Sequence, residues 1–285
     1  MLDRVKTKRD REFYFTALDF EKVRSLLYQH AGISLNDGKA DLVYGRLSRR
    51  LRVTGYSDFA AYLEFVTSPS GGPELANFIN ALTTNLTGFF REPHHFDYLR
   101  NTLLPESMRW HAQDRRIRYW SAGCSTGEEA YSMAMVGREM MPTGQGWDIK
   151  ILATDLDSSV IATAQSGRYS TQRISGLPRQ RAGKWFQRVK GERSDEVQID
   201  ASVQKLVTFK QLNLMHDWPM RGPFDAIFCR NVVIYFDKPT QQKLFDRYAD
   251  LLVDRGYLFL GHSESMHNVS DRFELVGQTM YRKIR

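Results

Sequence analysis

Residues Trp120–Glu129 read WSAGCSTGEE. An apolar run ends there, a turn of small residues follows, and two glutamates open the next segment. A strand–turn–helix of this kind presents backbone N–H groups beside a helix N-terminus, a cradle for a nucleotide-like ligand. A second apolar run, Ile149–Thr154, ends directly in Asp155. An acid at that place can accept hydrogen bonds from both hydroxyls of a ribose. The full dinucleotide pattern is missing, because only Gly123 and Gly127 are present, and Glu128 and Glu129 would repel a pyrophosphate. Two acids suit a ligand that carries positive charge. S-adenosylmethionine, with a ribose, a sulfonium and an ammonium, meets both demands.

Outward from this turn the pattern alternates between strand and helix. Candidate strands are Ile117–Ser121, Ile149–Thr154, Val207–Leu212, Phe224–Cys229 and Tyr257–Gly261. The amphipathic segments Glu129–Met140, Ser158–Ser166 and Pro239–Leu252 separate several of them. That alternation predicts a mostly parallel sheet covered on both faces. The tail Phe273–Ile284 alternates weakly and suits an antiparallel edge. A polar stretch of about 184–201, with strand-like pieces Lys184–Val189 and Glu196–Ile199, reads as a small β insertion.

The first ninety residues read as helices. Asp19 is expected to cap a helix carrying Phe20, Val23 and Leu27, and Ser57 one carrying Phe59, Tyr62, Leu63 and Val66. Thr67–Gly72 breaks the pattern, and Pro73 suits the first position of a helix carrying Leu75, Phe78, Ile79 and Leu82. The expected organisation is a basic flexible tail over 1–18, a helical domain over 19–90 and a ligand-binding domain over 91–285.

The chain of 285 residues is 42% hydrophobic and 26% charged, which describes a globular protein with a full core. Apolar runs fall short of membrane-spanning length, and the N-terminus lacks a signal peptide's apolar core, so a cytoplasmic location without membrane insertion is expected. Cys124 and Cys229 make no metal or disulfide framework, although they follow strands expected to be neighbours. The net charge of +7 suits an acidic partner. Adjacent His94 and His95 cannot share one helix face as metal ligands usually do, so no metal is expected. His262 lies near Glu264 without a nucleophile or ligand set and reads as a packing residue.

Ligands of open α/β sheets bind at the carboxyl ends of the strands. Gly123 to Glu129, Asp155, Asn213, and Arg230-Asn231 after the run FDAIFC all fall there. Taken singly, Asn213 and Asn231 could be turn formers and Glu128 a helix-dipole residue; their convergence on one edge favours a site. Here the chain resembles the CheR family of chemotaxis receptor methyltransferases. The resemblance rests on NALTTNLTGFFREPHHF (Asn80–Phe96), WSAGCSTGEE, GPFDAIFCRNVVIYFD (Gly222–Asp237), GHSES (Gly261–Ser265) and DLVYGRLSRRLR (Asp41–Arg52). It runs from about Asp19 to Tyr281.

The resemblance implies a class I S-adenosylmethionine-dependent methyltransferase fold, Rossmann-like, with an N-terminal all-helical domain and a small antiparallel β insertion. It implies O-methylation of glutamate side chains on chemoreceptor cytoplasmic helices, with S-adenosylhomocysteine as product and recruitment to membrane-bound receptor arrays. By matching position, Asn85, Thr87, Arg91, Glu129, Asp155, Asn213, Leu214, Arg230 and Asn231 should surround the cofactor. Arg91 and Tyr235 match residues placed near the sulfonium and the incoming carboxylate. Some family members capture a C-terminal receptor pentapeptide with the β insertion. The loop here, Gln187–Glu196, has Gly191 as its only glycine, so close backbone approach is harder and tether binding is expected to be weak or absent.

The same segment of basic residues points to the partner. Arg46, Arg49 and Arg50 share one helix face while Val43, Leu47 and Leu51 share another, and Arg52 extends the charge. With only Asp41 opposing them on that helix, they suit an acidic docking surface; a glutamate-rich receptor helix would satisfy that charge, as would a nucleic-acid backbone, although no nucleic-acid partner is expected. Two other functions suit the same cofactor pocket: a methyltransferase acting on RNA or a small molecule, and a non-catalytic adaptor that binds the cofactor or its product. A base-modifying cysteine or an aromatic-polar pocket motif is not identifiable, and intact Arg91 and Tyr235 argue against the adaptor.

Overall fold

The structure, a computed structural model, describes residues 11–141, 146–189 and 195–285. The chain forms two compact units divided between Thr84 and Asn85. The basic tail's residues 1–10 and Gly191 of the insertion loop lie outside the described residues.

The first unit is helical: α1 (Ala17–Ala31), α2 (Ala40–Thr54), α3 (Phe59–Thr67) and α4 (Gly72–Leu82). Its apolar positions Phe20, Val23, Leu27, Val43, Leu47, Leu51, Phe59, Tyr62, Phe78 and Leu82 are buried, as the helical periodicity requires. Two caps differ from expectation by small shifts. Thr16 is the N-cap of α1 and Asp19 sits at its third position, the two closing a capping box: Asp19 N donates to Thr16 Oγ1 at 3.0 Å and Thr16 N to Asp19 Oδ2 at 2.9 Å. Asp58, not Ser57, caps α3, accepting from Ala61 N at 2.8 Å. Both candidates suit a cap, and the residue directly before Phe59 is the one whose side chain meets a free first-turn N–H.

The second unit begins with α5 (Pro93–Tyr98), a π-helical turn Leu99–Leu103, and α6 (Leu104–Trp110). Then come β1 (Arg116–Ala122), α7 (Glu128–Met140), β2 (Asp148–Asp155), α8 (Ser158–Ser166), β3 (Arg168–Ser170), α9 (Arg179–Trp185), β4 (Phe186–Arg188), β5 (Glu196–Ile199), α10 (Ala201–Gln204) and β6 (Val207–Gln211). β7 (Phe224–Cys229), α11 (Lys238–Leu251), β8 (Leu252–Leu260), β9 (Phe273–Gly277) and β10 (Met280–Lys283) complete it. The sheet order is β6-β2-β1-β7-β8-β10-β9. β6, β2, β1, β7 and β8 run parallel, with Ser121 opposite both Ala153 and Phe228. β10 pairs antiparallel with β8 and β9, so the tail is a hairpin at the edge.

β7 lies in the middle of this sheet and all six of its residues are buried, whereas β6 at the edge buries only Phe209. That contrast follows from covering a parallel sheet on both faces. Strand order reverses between β1 and β7, which opens a crevice at their carboxyl ends. The insertion is a second, antiparallel sheet in the order β3-β5-β4. It starts earlier than the polar stretch suggests: β3 is only three residues, too short to carry a period, and Lys184-Trp185 end α9 instead of starting a strand. Among the described residues no helix is long and apolar enough to cross a membrane.

Candidate active site

Part of the turn after β1 is tied down internally, while the first N–H groups of α7 have no side-chain cap. Gly123 N and Cys124 N both donate to the Thr154 carbonyl at 2.8 and 2.9 Å, and Gly127 N donates to Cys124 O at 3.0 Å. Ser125 N donates to Asp155 Oδ2 at 2.7 Å. The geometry stitches the β1 turn to the end of β2. Gly123 is required there: its φ is +90°, and a Cβ would lie 2.3 Å from Val232 Cγ2.

Asp155 also accepts from Asp157 N at 3.0 Å, and its burial pushes the carboxyl above the usual carboxylate range. Each of its oxygens takes one backbone N–H, so lone pairs remain for a diol. Leu212 N donates to the Asp155 carbonyl at 2.9 Å, which brings Asn213 and buried Leu214 beside that acid. Asn213 Oδ1 accepts from Met215 N at 2.9 Å, the side-chain turn its residue type favours. Asn231 has φ +60°, also a turn conformation, and its N–H donates to Glu264 Oε2 at 2.8 Å.

The segment Asn85–Glu92 lies as a strap over the same edge. Asn85 Nδ2 donates to Asp157 Oδ2 at 2.7 Å, and Ser125 Oγ donates to the Asn85 carbonyl at 2.9 Å. Arg173 donates to the Thr87 carbonyl at 3.0 Å, Phe90 N donates to Ser132 Oγ at 3.0 Å, and Arg230 Nη2 donates to the Arg91 carbonyl. The structure thus brings Asn85, Thr87, Arg91, Glu129, Asp155, Asn213, Leu214, Arg230 and Asn231 to one edge of one sheet. Tyr235 ends a 3-10 turn, Val233–Tyr235, that follows Asn231.

Charge at this edge is arranged in pairs. Buried Glu129 accepts from Ser121 Oγ at 2.7 Å and from Arg230 Nη1 at 3.0 Å; burial pushes its carboxyl up, and Arg230 only partly offsets that. Arg230 also meets Glu92 Oε2 at 3.1 Å. Burial raises Glu92, but Arg230 and then His262 outweigh it and bring the carboxyl down to about 2. Arg91 is different. It is half-buried, it donates to the Leu86 carbonyl at 2.9 Å, and it faces no carboxylate among the described residues.

Several residues take other places than their sequence context suggests. Glu128 is fully buried; it accepts from Thr126 Oγ1 at 2.6 Å and faces Arg173 at 3.5 Å, so it is more than an exposed helix-dipole residue. His262 is not packed: its side chain is 65% exposed and bonds Glu92 Oε1 through Nδ1 at 3.0 Å. Glu264 takes the buried place, accepting from the N–H groups of Gly261, Asn231 and Ile234. Adjacency does not keep His94 and His95 apart from a common point: one ligand atom of each, and one of Glu92, all lie within 4.8 Å of one another. The cation on that carboxylate, however, is already Arg230. Cys124 and Cys229 are both free and buried, and burial pushes both thiols well up, which removes thiolate nucleophiles from this edge.

Of the basic residues on α2, three are committed within their own unit. Arg46 donates to the carbonyls of Leu82 and Thr83, each at 2.7 Å, at the end of α4. Arg50 pairs with buried Glu74 at 2.6 Å, and Arg52 pairs with Glu12. Arg49 is exposed and bonds no described residue. The opposing acids come from other segments, which a single-helix reading does not see.

The sheet order, the reversal at β1 and β7, and the acid ending β2 define a class I S-adenosylmethionine-dependent methyltransferase. The residues fit that cofactor: Asp155, at the end of β2, keeps lone pairs for a ribose diol. Comparison with known proteins makes the class specific. The description "CheR methyltransferase, SAM binding domain" fits residues 85–282, and "CheR methyltransferase, all-alpha domain" fits residues 18–83. The probable chemotaxis protein methyltransferase of Rhizobium etli is 44% identical over 258 residues, covering 90% of this chain and 96% of that one. The chemotaxis protein methyltransferase of Escherichia coli is 44% identical over 266 residues, covering 92% of this chain and 89% of its own. The chain belongs to the CheR family of chemotaxis protein methyltransferases. Solved structures match more weakly: PKMT2 from Rickettsia typhi in complex with AdoHcy is 18% identical over 51% of this chain and 21% of that one, and its TM-score of 0.32 carries no weight.

Proposed function

We propose that this protein esterifies glutamate side chains on the cytoplasmic helices of chemoreceptors. The observation that carries this reading is Arg91. Every other arginine described above at the edge, Arg173 and Arg230, is spent on an acid, whereas Arg91 has only a carbonyl. A guanidinium left in that state can take a carboxylate by charge-assisted hydrogen bonds.

Bound S-adenosylmethionine supplies an activated methyl group and a good leaving group. Asp155 would take the ribose hydroxyls, and Glu129, Asn213 and Leu214 would border the remainder, with Asn85 and Thr87 on the strap. A free glutamate has a pKa of about 4.3, so the acceptor arrives ionised and needs no base. The protein's task is alignment and exclusion of water. Arg91 steers the acceptor oxygen with a contact loose enough to leave it nucleophilic. Tyr235, whose hydroxyl bonds no described residue, orients the same group without moving a proton. On α2, Arg49 is the residue offered to an acidic helix. The receptor pentapeptide is proposed to bind weakly or not at all, which titration of that peptide would decide.

The test is direct. The protein is incubated with methyl-labelled cofactor and a receptor signalling domain, and the product is treated with alkali. Carboxyl esters release volatile methanol; N-methyl and base-methyl groups do not. Label that is missing, or that survives alkali, rules the proposal out.

A further inference from the structure

We propose that Glu92 is a positioning residue for methyl transfer: its carboxylate clamps Arg230, and through Arg230 it fixes both the strap carrying Arg91 and the carboxylate of Glu129. This deepens the function proposed above and rests on it. Arg230 has only 2% of its side chain exposed and lies against the Phe96 ring, with 5.6 Å from guanidinium to centroid. One nitrogen holds Glu129 at 3.0 Å; the other holds Glu92 at 3.1 Å and also the Arg91 carbonyl. One buried cation therefore ties three groups, two of which border the proposed reaction.

Glu92 is built to do this. Its backbone is left-handed, φ +57° and ψ +70°, a conformation an L residue with a long side chain adopts only when its surroundings enforce it. Phe90, on the other side of Arg91, is left-handed too, at φ +54°. Arg91 is thus presented between two strained residues, and the clamp at Glu92 is what holds the strap in that shape. His262 completes the set from the solvent side, bonded to the second Glu92 oxygen. Of the two acids facing Arg230, Glu92 is the one kept firmly ionised, which suits a fixed anchor.

Glu92→Gln keeps the shape and removes the charge. With the receptor domain as acceptor, kcat measured by alkali-released methanol should fall about tenfold or more, while the Kd for S-adenosylhomocysteine by titration stays within about threefold. If Glu92 acts through Arg91, the double variant with Arg91→Ala should be no slower than Arg91→Ala alone by more than about twofold, because coupled residues are not additive. A merely structural role would instead multiply the two losses. Turnover of Glu92→Gln within about twofold of wild type, or multiplying losses, overturns the inference. Should Glu92→Gln fail to fold, exposed His262→Ala decides: kcat falling about threefold, again without adding to Arg91→Ala, supports the clamp, and unchanged turnover overturns it. Wild-type protein that forms no ester would defeat the parent reading as well, whereas an active wild type with an unaffected Glu92→Gln defeats this inference alone.

Discussion

The roles proposed for Asp155 and Arg91 differ, and their variants should separate them. Asp155 ties Ser125 N and Asp157 N as well as offering lone pairs outward. Asp155→Ala should weaken cofactor binding about 10- to 100-fold, the worth of hydrogen bonds to a charged group, and lower thermal stability as the turn loosens. If Arg91 engages the acceptor as proposed, Arg91→Ala should lower kcat about 100-fold with cofactor affinity within about threefold. Equal loss of binding in both, by titration, would contradict this division. Asp155 was legible because its place at the end of a strand is written locally. Glu92 was not: its partners Arg230 and His262 are remote in sequence, and a glutamate before a proline carries no mark of what it will face.

At the scale of elements, α5 is tied to the β9–β10 turn through His95. This imidazole is fully buried, and its Nε2 lies 3.2 Å from the Gln278 carbonyl and 3.1 Å from Thr279 Oγ1. Burial, and then the Arg230 guanidinium, push it down to about 3. The folded pKa lies below the unfolded value of about 6.5, so the folded state binds fewer protons and stability is lost as pH falls from about 6.5 toward 3. Glu92 adds to the same trend between its ordinary value and about 2. The unfolding free energy from urea titrations should therefore drop between pH 7.5 and 5, with this imidazole alone contributing a slope approaching ~1.4 kcal/mol per pH unit. His95→Gln should be less stable at pH 7.5, and its profile should differ from wild type by a slope of that sign; parallel profiles would refute the neutral buried imidazole. The parallel strands and α7, α8 and α11 were readable from period and length. The insertion was not fully so, since β3 is shorter than any pattern can show.

For the whole molecule, the question is where the net charge of +7 is available. Arg49→Glu should raise KM for the receptor domain several-fold at low salt, an effect that shrinks as salt screens it, with cofactor binding unchanged. Arg50→Glu should instead destabilise the protein by about 3 kcal/mol, because Glu74 is buried and also bonds Tyr62 and Asn77. The reverse pattern, in unfolding curves and steady-state kinetics, would return Arg50 to the docking face.

The amino-acid sequence by itself determined the alternation that makes a parallel sheet, the helical first unit, the acid at the end of β2 and the small-residue turn after β1. These depend on period and on neighbours within a few residues. Only the tertiary structure decided which charges are free. Arg46, Arg50, Arg52, Glu128 and Arg230 all meet partners distant in the chain, while Arg49 and Arg91 face no carboxylate among the described residues. Pairing is a property of distance in space, and a buried charge takes whichever opposite charge the fold brings beside it.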